Sequence, residues 1–218
     1  GERVRHIMRD SGSRLWISTY GSGGLICYDP SDNSIKAFNE SDLGTMGNKF
    51  RFTEELDDGA ILAASSTGLT FIKDGKVINT IGADNGLAMP QILCTVQLDN
   101  GTVLAGSDGD GIYVIKDGKV VSNIGEDEGL TSLVVMRIVQ YKDVYFIVTS
   151  SALYILDAYG QVSKADSFVY SNNFDIIPDD NNGMLWITSS AGIFIVDGDE
   201  LASDSCDSYT LLNSKSGL

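Results

Sequence analysis

The fold is decided by the stretch Leu15-Trp16-Ile17-Ser18-Thr19, because similar stretches recur along the whole chain. Measured between their second residues, the five copies are separated by 46, 42, 42 and 40 residues. A second landmark, a small residue followed by Leu or Ile as in Gly24-Leu25, recurs at steps of 44, 43, 41 and 40 residues. Because two landmarks share one period, the chain consists of five repeats. The other copies are Ile61-Leu62-Ala63-Ala64-Ser65, Val103-Leu104-Ala105-Gly106-Ser107, Tyr145-Phe146-Ile147-Val148-Thr149 and Leu185-Trp186-Ile187-Thr188-Ser189.

Each repeat contains four predicted strands separated by turns, and the third repeat shows this most clearly. Its first turn is Asp99-Asn100-Gly101, where Asn and Gly tolerate positive φ. Asp117-Gly118 predicts a two-residue hairpin turn of the primed type, and the second repeat has Asp74-Gly75 at the same place. No stretch has convincing helical periodicity. The predicted strands of the third repeat cover 92–98, 102–107, 112–116 and 119–124.

The second and third strands of each repeat are nearly continuous apolar runs, such as Ile193-Phe194-Ile195-Val196. A strand with one wet face would alternate, so these strands are expected to be covered on both faces. Four-stranded sheets that repeat every ~40–45 residues and stack face to face are typical of a β-propeller. A β-solenoid is the alternative, but tight hairpins favour antiparallel blades. We therefore predict one all-β domain over 1–218, with repeats at 4–49, 50–91, 92–134, 135–173 and 174–218.

The composition limits the partners that the chain can have. It carries 30 acidic and 15 basic residues, a net charge of -15, which would repel nucleic acid. No apolar run approaches the ~18–20 residues of a membrane span, so contact with a membrane would need segments outside this chain. Cys27, Cys94 and Cys206 match no metal-ligand spacing, and Cys27 and Cys94 lie in apolar runs that indicate buried thiols.

The first repeat also contains a recognisable sequence motif. It runs from Asp10 through Leu15-Trp16-Ile17-Ser18-Thr19 to Gly23-Gly24-Leu25 and Tyr28-Asp29-Pro30. This pattern resembles the two-component regulator propeller repeat family. The fifth repeat matches again from Asp180 to Gly192-Ile193, whereas the fourth departs most, with Tyr145-Phe146 in place of Leu-Trp. The resemblance covers essentially the whole chain.

The resemblance implies a role outside the cytoplasm. Propellers of this family form the extracytoplasmic sensor part of membrane-anchored bacterial regulators, many of them tied to polysaccharide use. The chain shows no kinase nucleotide-binding motif, so any output module would lie outside it. Ser216-Gly217-Leu218 resembles the opening of a further repeat. Closure as five blades and membership of a larger ring are both compatible with this, and we favour the larger ring.

A ligand site is expected on the face where the loops between second and third strands meet the connections between blades, because rigid scaffolds present functional loops. Polar groups and one aromatic ring on that face suit an oligosaccharide or another small polar ligand. For each residue alone, a solvated rim is the simpler interpretation. The candidates are Tyr20, Asn48, Arg51, Gln91, Asp108, Asp110, Arg137 and Asn172.

Other conspicuous residues are expected to be structural. Trp16 and Trp186 occupy equivalent positions and are predicted to pack between blades. We expect no metal at Asp108 and Asp110, because Ca²⁺ needs about 6–8 oxygen ligands. His6 is the single histidine and lies near no nucleophile motif, and Gly21-Ser22-Gly23-Gly24 joins two strands instead of opening a helix. The first-turn aspartates are predicted to cap their turns: Asp10, Asp57, Asp58, Asp99, Asp179 and Asp180.

Three functions from different classes follow. The leading prediction is a non-catalytic sensor that binds a ligand, without a cofactor. The second is a scaffold for protein interaction or homodimerisation, and the third is a propeller enzyme such as a polysaccharide lyase. An exposed apolar patch would favour the scaffold, and a deep polar pocket would favour the sensor. The sequence identifies no pair of carboxylates for hydrolysis, so the enzyme ranks last.

Overall fold

The structure is a computed structural model that describes residues 3–38, 47, 49–169 and 171–217. It contains five four-stranded antiparallel sheets, and in each sheet the strands that follow one another in sequence are hydrogen-bonded neighbours. Each sheet is one blade of the β-propeller fold class, as the repeats predict. The chain divides into two compact units, Gly1–Asn123 and Ile124–Leu218, which are described separately.

The first unit contains the first three blades. A short 3-10 helix, Ala83–Asn85, lies between the second and third blades. The strands of blade one are β1 Val4–Arg9, β2 Leu15–Thr19, β3 Leu25–Asp29 and β4 Ser34–Phe38. Those of blade two are β5 Phe50–Glu55, β6 Ile61–Ser65, β7 Gly68–Lys73 and β8 Lys76–Ile81. Those of blade three are β9 Ile92–Gln97, β10 Val103–Ser107, β11 Ile112–Lys116 and β12 Lys119–Ile124.

The second unit contains the last two blades. A five-residue α-helix, α1 Gly198–Ala202, and a 3-10 helix, Ser214–Ser216, flank its final strand. The strands of blade four are β13 Val135–Tyr141, β14 Val144–Thr149, β15 Leu153–Leu156 and β16 Val162–Lys164. Those of blade five are β17 Asn173–Asp179, β18 Met184–Ser189, β19 Gly192–Asp197 and β20 Thr210–Leu212.

The hairpins are of the predicted type. Asp117 and Gly118 have φ of 50° and 68°, and Asp74 and Gly75 have φ of 51° and 69°. Two consecutive residues with positive φ define the primed turn, whose twist matches that of the flanking strands. The four predicted strands of the third repeat agree with β9–β12 to within one residue at each end.

One hydroxyl-to-carbonyl hydrogen bond recurs at the end of the second strand in all five blades, and the sequence analysis did not predict it. A Ser or Thr side chain donates to the carbonyl oxygen of the small residue that opens the third strand, which closes the connecting turn. The donors and acceptors are Thr19 and Gly24 at 2.8 Å, Ser65 and Gly68 at 3.1 Å, Ser107 and Gly111 at 2.9 Å, Thr149 and Ala152 at 2.8 Å, and Ser189 and Gly192 at 2.9 Å.

Apolar side chains fill the space between successive blades within each unit. Every residue of β6 and β10 is buried, as expected for strands covered on both faces. Between blades one and two, Trp16 and Leu25 pack with Phe50 and Ile61. Between blades four and five, the buried cluster includes Phe146, Leu153, Leu185, Phe194 and Val196.

The two tryptophans that the repeat equates differ in burial. Trp16 is 2% exposed, whereas Trp186 is only half-buried and lines an open groove of 480 Å³. The blade-one face that carries Trp16 is covered by side chains of blade two. The equivalent face of blade five borders the groove, where Ile177 is 54% exposed. Among the described residues nothing in its own unit covers that face, so Trp186 is less enclosed within its unit than Trp16, and its packing between blades stays a prediction.

Helix α1 is a second departure from the sequence analysis, which expected no helix. Asp197 caps it, since its carboxylate accepts from the backbone N–H groups of Asp199 at 2.9 Å and Glu200 at 3.1 Å. Gly198 lies against the ring of Tyr141, where a larger residue would not fit. Five residues are too few to produce a helical repeat of apolar positions, so periodicity missed this helix.

Aspartates cap three of the first turns as predicted. Their Oδ1 atoms accept from a backbone N–H farther along the turn. Asp10 accepts from Arg14 at 2.8 Å, Asp58 from Ala60 at 2.9 Å and Asp179 from Asn181 at 3.1 Å. Among the described residues, no such bond is found for the other three predicted caps, which are Asp57, Asp99 and Asp180.

Candidate functional site

Tyr20 lies at the junction of the first two blades, on the loop face where a ligand site was predicted. It follows β2 directly, and its N–H donates to the carbonyl of Arg3 at 2.8 Å. An isolated antiparallel bridge joins Tyr20 to Lys49, immediately before β5. The backbone of Tyr20 is thus joined to the backbones of blades one and two.

Three cationic side chains surround the ring of Tyr20. The guanidinium carbon of Arg51 lies 4.7 Å from the ring centroid, that of Arg5 5.1 Å, and Nζ of Lys49 5.5 Å. We call Tyr20, Arg5, Lys49 and Arg51 the cation cluster. Cations are attracted to the negative face of an aromatic ring, which offsets part of their mutual repulsion. Two predicted site residues, Tyr20 and Arg51, are therefore brought together.

The sequence reasoning missed Arg5 and Lys49, although a signal for them exists. Lys49 and Arg51 are two residues apart at the start of a strand, and Arg3 and Arg5 have the same spacing around the start of β1. Side chains two residues apart in a strand point to the same face. Two such basic pairs in an acidic chain could have indicated a cationic patch.

A second cluster joins Gln91, Asp108 and Asp110, three further predicted site residues. The side-chain amide of Gln91 donates to the carboxylate of Asp108, and the Asp108 N–H donates to the carbonyl of Gln91 at 2.9 Å. Tyr113 donates its hydroxyl to Oδ2 of Asp110 at 2.5 Å and accepts from the N–H of Met89 at 2.7 Å. Burial, together with the carboxylate of Asp110, raises the pKa of Tyr113 to about 12.

The hydrogen bonds of this second cluster join blade three to the segment that leads into β9. Ser107 Oγ accepts from the N–H of Asp110 at 2.8 Å, and Asn123 donates to the carbonyl of Asp110 at 2.7 Å. The two carboxylates thus fix the loop between β10 and β11. Within the described residues, no group of three His, Cys, Asp or Glu side chains is placed to hold a metal ion.

The remaining predicted site residues lie in the second unit or outside the description. Arg137 Nε donates to Oδ1 of Asp175 at 2.7 Å, which makes an ion pair between blades four and five. Asn172 is exposed and has a φ of 45°, a left-handed conformation that Asn adopts more readily than most residues. Asn48 lies outside the described residues.

The histidine and the cysteines, which could act as catalytic groups, are packed against other side chains or buried. The ring of His6 stacks on Phe52 with centroids 4.1 Å apart, and its Nδ1 lies 3.3 Å from Oγ1 of Thr53. Cys94 and Cys206 are buried, whereas Cys27 is half-buried and so less enclosed than its apolar run predicts. Burial raises the pKa of both Cys27 and Cys206, which keeps those thiols protonated and weakly nucleophilic.

A cleft of 500 Å³ lies between blades two and three of the first unit. Its wall mixes apolar side chains such as Phe71, Ile78 and Ile115 with Asp58 and Gln97. The cation cluster and the second cluster contribute no residue to it. The cation cluster is therefore outside this cleft, and it is the candidate site with the most distinctive chemistry on the predicted loop face.

The fold is shared with several solved structures. The extracellular domain of one hybrid two-component system protein of B. thetaiotaomicron matches 99% of this chain with a TM-score of 0.82 and 19% identity. That of another matches 98% with a TM-score of 0.77 and 18% identity. The chain has the β-propeller fold of these extracellular domains. Its extent is 29% and 30% of their respective lengths.

The same fold also occurs in an enzyme. Virginiamycin B lyase from Staphylococcus aureus matches 97% of this chain and 70% of its own length, with a TM-score of 0.75 and 14% identity. No protein-family model matches the sequence, and no curated protein matches it either. The solved structures bear out the resemblance to sensor propellers at the level of the fold.

Proposed function

We propose that this chain is part of the extracytoplasmic sensor of a membrane-anchored bacterial signalling regulator, and that it binds a polar ligand, with oligosaccharides as the first class. The cation cluster around Tyr20 carries this proposal, because it gathers three cationic side chains and an aromatic ring at the loop face of two blades. The likeness to extracellular domains of two-component systems supports the location. No helix in the described residues is long and apolar enough to cross a membrane.

The arrangement of titratable groups supports a non-catalytic role. A histidine is needed in the S. aureus lyase, since its replacement by alanine inactivates that enzyme. The one histidine of this chain, His6, is stacked on Phe52 and lies beside Thr53. Asp108 accepts a hydrogen bond from Gln91, just before β9, and Asp110 accepts one from Tyr113. These carboxylates stabilise a loop in place of presenting an acid and a base to a substrate.

A thermal-shift screen of the chain against neutral and acidic oligosaccharides tests this proposal. A ligand that binds only the folded state stabilises it by about 2.7 kcal/mol at one hundred times its Kd, which raises Tm. We expect at least one sugar to raise Tm in a saturable manner and to be recovered chemically unchanged. Product formation would contradict the non-catalytic role, and an unchanged Tm across the panel would contradict ligand sensing.

A specific observation favours a scaffold as the second candidate. Ile177 of the fifth repeat is 54% exposed and lines a groove together with Pro178, Trp186 and Ile193. An apolar groove that is open to solvent often marks a protein interface. Sedimentation velocity over a hundredfold range of concentration would detect self-association. Dimers that dissociate in an Ile177→Asn variant would support the scaffold, and a monomer at every concentration would oppose homodimerisation.

A further inference from the structure

We propose that the cation cluster binds an anionic oligosaccharide, one whose sugar units carry carboxylate or sulfate groups. This inference rests on the proposed sensing function and specifies its ligand class. Carboxylate and sulfate share the chemistry that matters, which is a negative charge spread over oxygen atoms that accept hydrogen bonds from guanidinium and ammonium groups.

The charge balance around Tyr20 is the first argument. Five of the twelve described cations outside the cluster form ion pairs, among them Lys73 with Asp58 at 2.8 Å and Lys164 with Asp166 at 2.6 Å. In the part of the chain that the structure describes, no carboxylate forms an ion pair with any cation of the cluster. Three neighbouring positive charges repel one another, and a π face offsets this only partly. A bound anion would remove the remaining repulsion.

The geometry of Arg51 is the second argument. Arg51 is half-buried at the start of β5, and its Nε is inaccessible to solvent with no hydrogen-bond partner among the described atoms. Because β5 holds this guanidinium against the ring, it is pre-organised to bind a planar or tetrahedral anion by donating two hydrogen bonds. Arg5 and Lys49 are exposed and can move to meet the same ligand. Arg51 would thus fix the ligand's orientation, and the other two would add charge.

The net charge of the chain restricts the class of ligand further. A net charge of -15 repels polyanions at long range, so a long, densely charged polymer would gain little from one local cluster. A short sugar with one or a few charges at the cluster avoids most of this repulsion. This charge distribution favours an acidic oligosaccharide over nucleic acid or an acidic protein surface.

Isothermal titration of the 218-residue chain with matched pairs of probes tests the inference. One pair is a uronic acid tetrasaccharide and its neutral methyl ester, and the other is a sulfated disaccharide and its desulfated form. Inorganic sulfate is a fifth probe. We expect one acidic sugar to bind about 10-fold or more tightly than its neutral partner, since charge-assisted hydrogen bonds are roughly twice as strong as neutral ones. The pair that responds identifies the anionic group.

Charge-matched variants locate the site. Lys49→Gln and Lys116→Gln each remove one positive charge from an exposed lysine, but only the first lies in the cluster. We expect Lys49→Gln and Arg51→Gln to weaken binding of the acidic sugar about 10-fold and Lys116→Gln to leave it nearly unchanged. Thermal unfolding of each variant checks that the blades remain intact.

Each outcome decides between the two proposals. Equal affinity for acidic and neutral sugars, or equal effects of Lys49→Gln and Lys116→Gln, would overturn the anionic inference and leave sugar sensing in place. Inorganic sulfate that binds as tightly as the acidic sugar would show a simple anion site, which also overturns the sugar assignment. If no sugar of either charge binds, both proposals are wrong.

Discussion

The indole Nε1 of Trp16 donates a hydrogen bond of 2.8 Å to Oδ2 of Asp10. The same carboxylate accepts from the side chain and the backbone N–H of Arg14 at 2.7 and 2.8 Å, and Asp10 is only 4% exposed. One buried aspartate therefore joins the first turn of blade one to the tryptophan that packs against blade two. The sequence predicts Asp10 as a turn cap and Trp16 as a core residue, and the structure joins the two through this hydrogen bond.

Asp10→Ala should destabilise the first unit. The substitution leaves the Trp16 indole N–H and the Arg14 N–H without their acceptor, at a cost of about 1–3 kcal/mol for each buried group left unsatisfied. Urea denaturation followed by tryptophan fluorescence would measure the loss. Asp57→Ala is the control, since Asp57 is exposed and caps no turn in the described structure. Equal losses in the two variants would contradict the special role of Asp10.

The hydrogen bonds of Asp10 should also make the free energy of unfolding depend on pH. Burial acts to raise the pKa of Asp10, but hydrogen bonds from Trp16 and Arg14 outweigh it, and the pKa lies below its ordinary value of 3.8. A lowered folded-state pKa means that this contribution is fully present above the unfolded value and is lost as pH falls through the folded value. The free energy of unfolding should therefore fall below about pH 4. Asp10→Asn should show a shallower decline, and an identical pH profile would contradict the prediction.

The two tryptophans should differ in what they contribute. Trp16→Ala removes a buried ring and should cost about 3–5 kcal/mol. Trp186→Ala removes a half-buried ring beside an open groove and should cost about 1–2 kcal/mol, because less apolar area is lost from the interior. Denaturant titration of both variants compares them directly. A Trp186 variant as unstable as the Trp16 variant would show that the groove is covered in solution.

The recurring hydroxyl bond should matter in each blade. Ser107 is fully buried, donates to the carbonyl of Gly111 and accepts from the N–H of Asp110. Ser107→Ala should cost about 1–3 kcal/mol, since both partners lose a buried hydrogen bond. Thermal unfolding measures the change, with Ser122→Ala on the exposed edge strand β12 as the matched control. A Tm no lower than that of the control would mean that water replaces the hydroxyl.

Gly198 should tolerate no side chain. A Cβ added there would lie 2.5 Å from the hydroxyl oxygen of Tyr141 and 2.7 Å from its Cε2. That ring is held because its hydroxyl donates to the carbonyl of Gly183 at 3.1 Å. Gly198→Ala should destabilise the second unit by about 1–3 kcal/mol, as overpacking does. In a double-mutant cycle with Tyr141→Leu, calorimetry should show partial rescue, and strictly additive losses would argue against the clash.

The sequence by itself determined the features that depend on nearby residues. The period of the repeats, the four strands of each blade and the primed turns at Asp74-Gly75 and Asp117-Gly118 all follow from local patterns, because turn geometry and strand pairing are set within one repeat. The assignment of Tyr20 and Arg51 to the loop face also followed from their positions relative to these strands. Helix α1 was missed because one capped turn carries too few residues to produce a period.

Only the tertiary structure decided which of these elements meet. The cation cluster draws Arg5 and Tyr20 from blade one and Lys49 and Arg51 from blade two, so its assembly depends on how two sheets pack. The difference between Trp16 and Trp186 has the same origin, since the two share one position in the repeat and differ in what covers them. A repeat pattern specifies which face of a strand a side chain occupies. Its burial and its partners depend on the neighbouring blade, because packing between sheets joins residues far apart in sequence.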